Sequence, residues 1–513
     1  MSEFQNEKCS GECPERIRKT RRTVNRKEVG ADFVLPDYMG DVKRMLKCTA
    51  HVIPCNKLVC DGEVSALATV TFRVLYLDGE DMLTEASFSA DAEFSERSVC
   101  DSRDVDVEYK IQSVSVRLGG PRKISAKANV SCEMSLSEDD EVCASVDCSG
   151  AETLKKEIKI RTEEYFKTAE REYAEEIDKI DGASADEIEL VKSFAEAFVD
   201  AVHKTDGGVN LSGYINAYCI IRTDDGLIRV EKQIPIEEHI ECEHSESGDF
   251  IPRACVTGIN VNLNNVNTEN ECAVSVVMNM TAECCLTHHY NKGVMLVTDA
   301  FCEGCKNECC YENFEFSTLT DSVFDKAGLS LTLNRGEEPL RDIMESDISV
   351  KNVRYELNGS ELTALCDAEI TIIARGNERE ECYAVKEKTE FSKKYRLSVK
   401  DAGKISISIV PCEASVSFDG EKIYVDGQML VSLISESKEV LQMLSDLKSE
   451  KEIVEGERCV IVCYPEKEDT LWSVSKKYGV SPDTIGRING FSKAECDLCM
   501  SVADKDKIII IKE

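Results

Sequence analysis

The sequence predicts a mainly β protein: repeated β-sheet, sandwich-like units followed by a small α+β domain of order strand, helix, helix, strand. Stretches such as Ala68–Tyr76 alternate apolar and polar residues, which is the period of a half-buried strand. Groups of such stretches recur along the chain, and repeats constrain architecture before any motif does. The last tenth of the chain changes period, with two short helical patterns between apolar, β-prone runs.

Residues 1–14 show no apolar periodicity and are expected to be a disordered lead to a first β unit, 15–150. Arg16, Arg18, Lys19, Arg21, Arg22, Arg26 and Lys27 form one basic cluster. It is expected on the solvated face of a first strand or turn, with an acidic partner or RNA as the alternative. Leu35–Val42 is an extended Pro-Asp segment leading into a helix-like run through Leu46. Gly62–Tyr76 is a strand, Asp78-Gly79 turns it into a second, and Tyr109–Val116 meets Ile124–Met134 across Gly119-Gly120-Pro121.

A second unit, 151–320, opens with a helical linker. Asp186–His203 puts Ile188, Val191, Phe194, Ala195, Phe198 and Val202 on one helical stripe. Strands Gly213–Arg222 and Leu227–Ile234 follow around Asp225-Gly226, then Ala254–Leu263 paired with Glu271–Leu286. The third unit, 321–437, repeats the pattern with Glu361–Ala374, Tyr383–Phe391, Ile405–Phe418 and Lys422–Leu433. A charged, partly helical linker, 438–458, leads to the terminal domain, 459–513.

In that domain Cys459–Tyr464 is β-prone. Asp469 is the residue type that accepts a backbone hydrogen bond at a helix start, Leu471, Val474 and Tyr478 share one face, and Gly479 supplies a left-handed stop. Ser481-Pro482-Asp483 restarts a helix with Ile485 and Ile488 inward, and Ile508–Ile511 closes as a strand. Trp472, the one tryptophan, either packs this small core or stands out as a docking anchor.

Asp469-Thr470-Leu471-Trp472, Tyr478, Ser481-Pro482, Ile485, Asn489 and the closing isoleucines together resemble a LysM domain. That resemblance implies binding of N-acetylglucosamine polymers in a groove beside the first helix, through Asp469, Thr470, Leu471, Trp472 and Asn489. The chain departs from the family pattern at Glu468, at Ala503–Asp506 and at Lys512, in loops that line the family's groove. Pro36-Asp37-Tyr38, with the strand that follows and ends in Val74-Leu75-Tyr76, resembles the SPOCS domain (DUF3794-type repeat) of sporulation and cell-envelope proteins. Three such units before a LysM domain resemble the SipL-like spore-coat morphogenetic family. This implies a non-enzymatic sporulation scaffold in the mother-cell cytoplasm. Its LysM domain would dock on the coat basement-layer ATPase at the forespore surface, with other coat proteins as partners. The alternative is a peptidoglycan- or chitin-type glycan binder of the spore or cell envelope.

Composition narrows the classes. A net charge of −35 over 513 residues argues against nucleic acid and anionic membrane as partners. Met1–Lys8 carries charges without an apolar core, and no run is long enough to span a membrane, so retention where the chain is made is expected. The 26 cysteines fall below the ~8–10% that marks a disulfide scaffold. Reduced thiols are expected, with Cys132, Cys219, Cys272, Cys366 and Cys412 packing strands. Cys302, Cys305, Cys309 and Cys310 can surround a zinc if their loop folds back; redox cross-linking and incidental thiols are the alternatives. Cys496-x-x-Cys499 is half a metal site or a disulfide. His288-His289 on a strand point to opposite faces. No phosphate loop or nucleophile elbow is present, so neither an enzyme nor a cofactor is expected.

Overall fold

Period-2 alternation builds the body of the protein. In the computed structural model, which describes residues 15–97, 105–142, 151–267, 272–334, 339–377, 381–398, 403–419, 422–451, 459–491, 498–499 and 501–512, all paired strands run antiparallel. The expected lead, 1–14, lies outside these residues, as does Cys496.

The first unit comprises β1 (Glu15–Val34), β2 (Val42–Cys60), β3 (Glu63–Asp78), β4 (Leu83–Arg97), β5 (Val105–Gly120) and β6 (Lys123–Val142). They form two sheets, β1-β6-β5 and β2-β3-β4. Val64, Val70, Phe72 and Val74 of β3 face Ile124, Ala126, Val130 and Met134 of β6 across one core. The second unit follows with β7 (Ala151–Lys167), β8 (Arg171–Asp181), β9 (Glu189–Thr205), β10 (Gly208–Thr223), β11 (Gly226–Glu241), β12 (Asp249–Asn267) and β13 (Cys272–Cys302). The third has β14 (Cys305–Asn334), β15 (Leu340–Asn358), β16 (Glu361–Gly376), β17 (Cys382–Arg396), β18 (Lys404–Phe418) and β19 (Lys422–Lys451). Their sheets, β8-β13-β12 with β9-β10-β11 and β14-β19-β18 with β15-β16-β17, repeat the strand order of the first unit. Each pair of sheets closes its own core.

The three units meet through the outer faces of their middle strands. Leu75 and Leu77 of β3, Tyr218 and Ile220 of β10 and Ile373 of β16 gather in one buried cluster. Beside it lies a buried ion network. Lys47 Nζ is 2.6 Å from Glu345 Oε1, and Lys192 Nζ is 2.8 Å from Glu345 Oε2 and 3.4 Å from Glu85. One residue from each unit thus meets here, Lys47, Lys192 and Glu345 itself. Burial alone would push its carboxyl up, but Lys192 and Lys47 hold it down at about 2. A second knot ties Arg22 of β1 to Glu163 of β7 at 2.7 Å, and Arg161 of β7 to Glu163 and to Glu436 of β19. The basic cluster therefore sits on a strand, and Arg22 finds its acid within the chain.

Three expected helical stretches are strands. Asp186–His203 is a single 3-10 turn, Ala185–Glu187, followed by β9. Both faces of β9 are covered: Ala195, Ala197 and Val199 enter the core, while Val191 and Phe194 join the three-unit junction and Phe198 packs on Cys412. A strand apolar on both sides loses its alternation, and register shifts opposite Ser212/Gly213 and Ile220/Ile221 move the phase further. At the first shift only glycine fits, since a Cβ on Gly213 would lie 1.9 Å from the Phe198 carbonyl oxygen. The helix-like run through Leu46 is the start of β2, and Arg122 holds the preceding loop by donating to the carbonyls of Leu35, Pro36 and Met39. The linker from Lys438 is the second half of β19 as far as Lys451, with its remainder outside the described residues. Cys132, Cys219, Cys366 and Cys412 are buried as expected, whereas Cys272, the first residue of β13, is exposed.

The longest strands overrun their units. The second half of β13 pairs with β7, and the first half of β14 pairs with the second half of β19. These two ribbons pack face to face through Ile158, Val294, Leu296, Phe314, Phe316 and Met443. The result is an arm, with the turn at Glu303-Gly304 near its end.

Candidate functional site

The terminal domain is built as its sequence indicates. β20 (Cys459–Cys463) pairs with β21 (Ile508–Lys512), and α1 (Leu471–Tyr478) and α2 (Pro482–Asn489) lie between them in the chain. Leu471, Val474, Ile485, Cys463, Val502, Ile508 and Ile510 make its core, while Ile488, expected inward, is only half-buried.

Thr470, not Asp469, caps α1. Its hydroxyl accepts from the Ser473 amide at 3.1 Å, and its own amide donates to Ser473 Oγ at 3.0 Å, so the box satisfies two orphan groups. Asp469 works one residue earlier, accepting the Glu466 amide at 2.8 Å to close the loop before the helix. Gly479 (φ 65°) gives the left-handed stop, and Ser481 with Pro482 starts α2. Asn489 is a brace: its amide donates to Ile485 O at 2.8 Å and Ile509 O at 2.7 Å, and its oxygen accepts from Ile509 N at 2.7 Å. Four of the five candidate binding residues thus hold the domain together. Leu471 is fully buried in its core.

Trp472 is different. It lies outside that core, is 5% exposed, and packs edge-on against Phe301 of β13 with ring centroids 5.2 Å apart. Its indole Nε1 donates to Asp299 Oδ2 at 2.8 Å. Lys476, one turn further along α1, also reaches Asp299 and lies 3.2 Å from the Tyr311 hydroxyl. The Gly304 amide donates to Gly479 O at 3.2 Å, and the Ser481 amide donates to Glu303. Neither reading open in the sequence describes this placement: Trp472 is buried, but against this chain's own arm rather than in the domain's core. Asp299 is aimed by a register shift between Val297 and Asp299 in the β13–β7 ladder, since a bulge re-aims the side chain beside it. Burial would raise the Asp299 carboxyl, but hydrogen bonds from Lys476, Trp472 and Tyr311 bring it below its ordinary value. Burial and that carboxylate push the Tyr311 hydroxyl up to about 12. Only the Trp472–Lys476 spacing, four residues on a helix, signalled this contact in sequence. Nothing marked Asp299 or Phe301.

The four clustered cysteines do not converge on one point. Cys302 and Cys309 pack inside the arm, with Cys309 Sγ donating to Ala300 O at 3.2 Å, while Cys310, the next strand residue, takes the other face. The loop does fold back, but Asn307 fills it. Its side chain accepts from Cys302 N and donates to the carbonyls of Cys302 and Cys305 at 2.9, 3.0 and 3.0 Å.

The presumed groove lips stay in solvent. Glu466, Lys467 and Glu468 of the first loop and Ser501, Ala503 and Asp504 of the second are exposed. Backbone bonds stitch the two loops together behind them, Val502 N to Asp469 O at 2.9 Å and Trp472 N to Leu498 O at 3.1 Å. Residues 466–494 match the family model of the LysM domain. No curated protein and no solved structure matches the chain. Among the described residues no helix is long and apolar enough to cross a membrane.

Proposed function

We propose that the protein is a non-enzymatic assembly scaffold in which the LysM domain grips polypeptide through its Trp472 face. The observation that carries this is the set of contacts Trp472, Lys476 and Gly479 make with the arm: a tryptophan anchor, an oriented carboxylate and backbone pairing, the ingredients of a protein–protein hot spot. An external partner offering an apolar ring and a carboxylate competes with the arm for that face. On the SPOCS-like reading of the three β units, the partner is the coat basement-layer ATPase, met in the mother-cell cytoplasm at the forespore surface together with other coat proteins. A tagged full chain recovered from sporulating cells then brings the ATPase with it. A chain ending at Lys451 does not, and Trp472→Ala lowers recovery about tenfold or more. Recovery unchanged in both would overturn the proposal. The truncation point is Lys451 because β19 continues to it.

A second reading, binding of peptidoglycan or a chitin-type glycan, rests on the LysM match and on the exposed residues Glu466, Lys467, Glu468, Ser501, Ala503 and Asp504, which the arm leaves uncovered. Saturable retention of the full chain on peptidoglycan, unaffected by Trp472→Ala, would favour it.

A further inference from the structure

The two faces of β13 at His288-His289 carry different chemistry. His289 turns toward Glu163 and the Arg161 knot. His288 turns the other way, beside its cross-strand partners Glu164 of β7 and Phe250 of β12. Cys242, the residue after β11, opens the 242–248 connection that returns over this face. Gly248 (φ 76°) allows the close return, since a Cβ there would lie 2.2 Å from the His289 carbonyl oxygen. As a result Cys242 Sγ lies 3.6 Å from His288 Nδ1, and Glu164 Oε2 lies 3.8 Å from the same nitrogen. All three donor atoms fall within 4.8 Å of one another.

We infer that Glu164, Cys242 and His288 form a binding site for a zinc-class divalent metal ion that ties the β11–β12 connection to the arm. His288 Nε2 is 2.7 Å from the Ser247 carbonyl oxygen, which can only accept, so Nε2 carries a proton and, in the neutral ring, the Nδ1 lone pair faces Cys242 and Glu164. A second contact of this kind is what orients a metal-bound histidine, and the Tyr290 hydroxyl does the same for Glu164 by donating to Oε1 at 2.9 Å. The imidazole is clamped between Phe250 and Tyr290, with ring centroids at 4.4 and 4.6 Å. A lone pair, a carboxylate and a sulfur therefore converge with one thiol proton among them, and a cation removes that conflict. The spacing suits it, because bonds of ~2.3 Å to sulfur and ~2.0 Å to nitrogen at a tetrahedral angle set those ligands ~3.5 Å apart. The spacing Cys242-x-His244 puts a further donor at the mouth, where the exposed His244 ring lies 5.6 Å from that of Tyr290. This site is separate from the Trp472 contact and does not depend on the docking reading.

The purified full chain, equilibrated with zinc and passed through gel filtration, is expected to retain one equivalent. Cys242→Ser and His288→Gln each lose it, Tyr290→Phe weakens it about tenfold, and Cys302→Ser with Cys305→Ser leaves it in place. Cobalt gives the thiolate charge-transfer band and intense visible bands of a tetrahedral site, absent in Cys242→Ser. Should these variants fold poorly, the wild-type chain still decides: zinc protects Cys242 from alkylation, read by peptide mass spectrometry. No retained metal, equal retention in Cys242→Ser, or alkylation of Cys242 at the same rate with and without zinc would overturn the site.

Discussion

Two junctions in this protein are made of the same groups, a carboxylate meeting lysines, and they behave differently because of what surrounds them. At the three-unit junction, Glu345 sits among Lys47 and Lys192 with its side chain 3% exposed, and the walls are leucine, isoleucine and tyrosine from all three units. At the arm, Asp299 meets Lys476 with side chains 19% and 30% exposed, and the apolar part is one ring pair, Phe301 and Trp472. A buried pair is costly to break because the remaining charge is stranded, whereas a half-exposed pair surrenders its ions to water at little cost. The first junction is expected to hold and the second to open more easily, which is what the proposed docking requires.

The largest effect that tests this contrast is at Glu345. Glu345→Ala strands two lysines in an apolar setting and should cost ~3–5 kcal/mol, seen as a lower urea midpoint of the β body by circular dichroism. Asp299→Ala should leave that midpoint where it is. Equal losses would mean that the two junctions are energetically alike. Acid sharpens the same point. Burial, then Arg73 and Lys192, hold His51 down at about 4, and its ring lies 5.8 Å from that of Phe194 at the unit junction. Glu345 is held at about 2. Both groups take up protons more readily unfolded, so each contributes stability above its ordinary value that is lost as pH falls. The loss begins near 6.5 for His51 and near 4.5 for Glu345. Urea midpoints should fall from pH 4.5 to 3 and fall less steeply in Glu345→Ala; above pH 4.5 the upward-shifted carboxyls of Glu85 and Glu196 at the same junction oppose the loss at His51.

The same contrast explains what was legible in the sequence. Some strands kept enough alternation to be read, β10 and β16 even though neighbouring units cover part of their outer faces: β10, β16 and β18 sit close to where Gly213–Arg222, Glu361–Ala374 and Ile405–Phe418 placed them. β9 did not, because neighbouring units cover its second face and put Val191, Phe194 and Phe198 where a helix stripe would want them. The strand-helix-helix-strand order of the terminal domain was readable because caps and stops are local. Even there the cap moved by one residue, from Asp469 to Thr470, since two adjacent residues were both good cap types. The grip itself was half legible. Trp472 stood out, but its acceptor is Asp299, 173 residues earlier, aimed by a bulge that leaves no local mark. The same holds for His288, whose neighbours Glu164 and Cys242 come from β7 and from the connection after β11.

A smaller effect is expected at the arm. Trp472 is the only tryptophan, so its emission reports the docked state directly. Asp299→Ala removes the acceptor of the indole and the partner of Lys476, hydrogen bonds to a charged group worth ~1.5–3 kcal/mol in protected settings and less here. Emission should shift to the red, and capture of the proposed partner should rise severalfold as the competing arm lets go. Blue-shifted emission identical to wild type would show that Phe301 and the Gly304 and Glu303 contacts hold the domain without Asp299. Red-shifted emission with no gain in capture would separate the latch from the partner site.

The smallest effect distinguishes loosening the domain from undocking it. Thr470→Ala deletes the hydroxyl that accepts from the Ser473 amide and should cost ~1 kcal/mol of the terminal domain's own stability. The alanine still leaves the Trp472 indole free to reach Asp299. Native emission should therefore remain unshifted while the terminal domain melts several degrees earlier, followed through tryptophan emission on heating. If Thr470→Ala instead reddens the native spectrum as Asp299→Ala does, then α1 is held straight by the arm as much as by its own cap, and the domain cannot leave the arm and keep its fold.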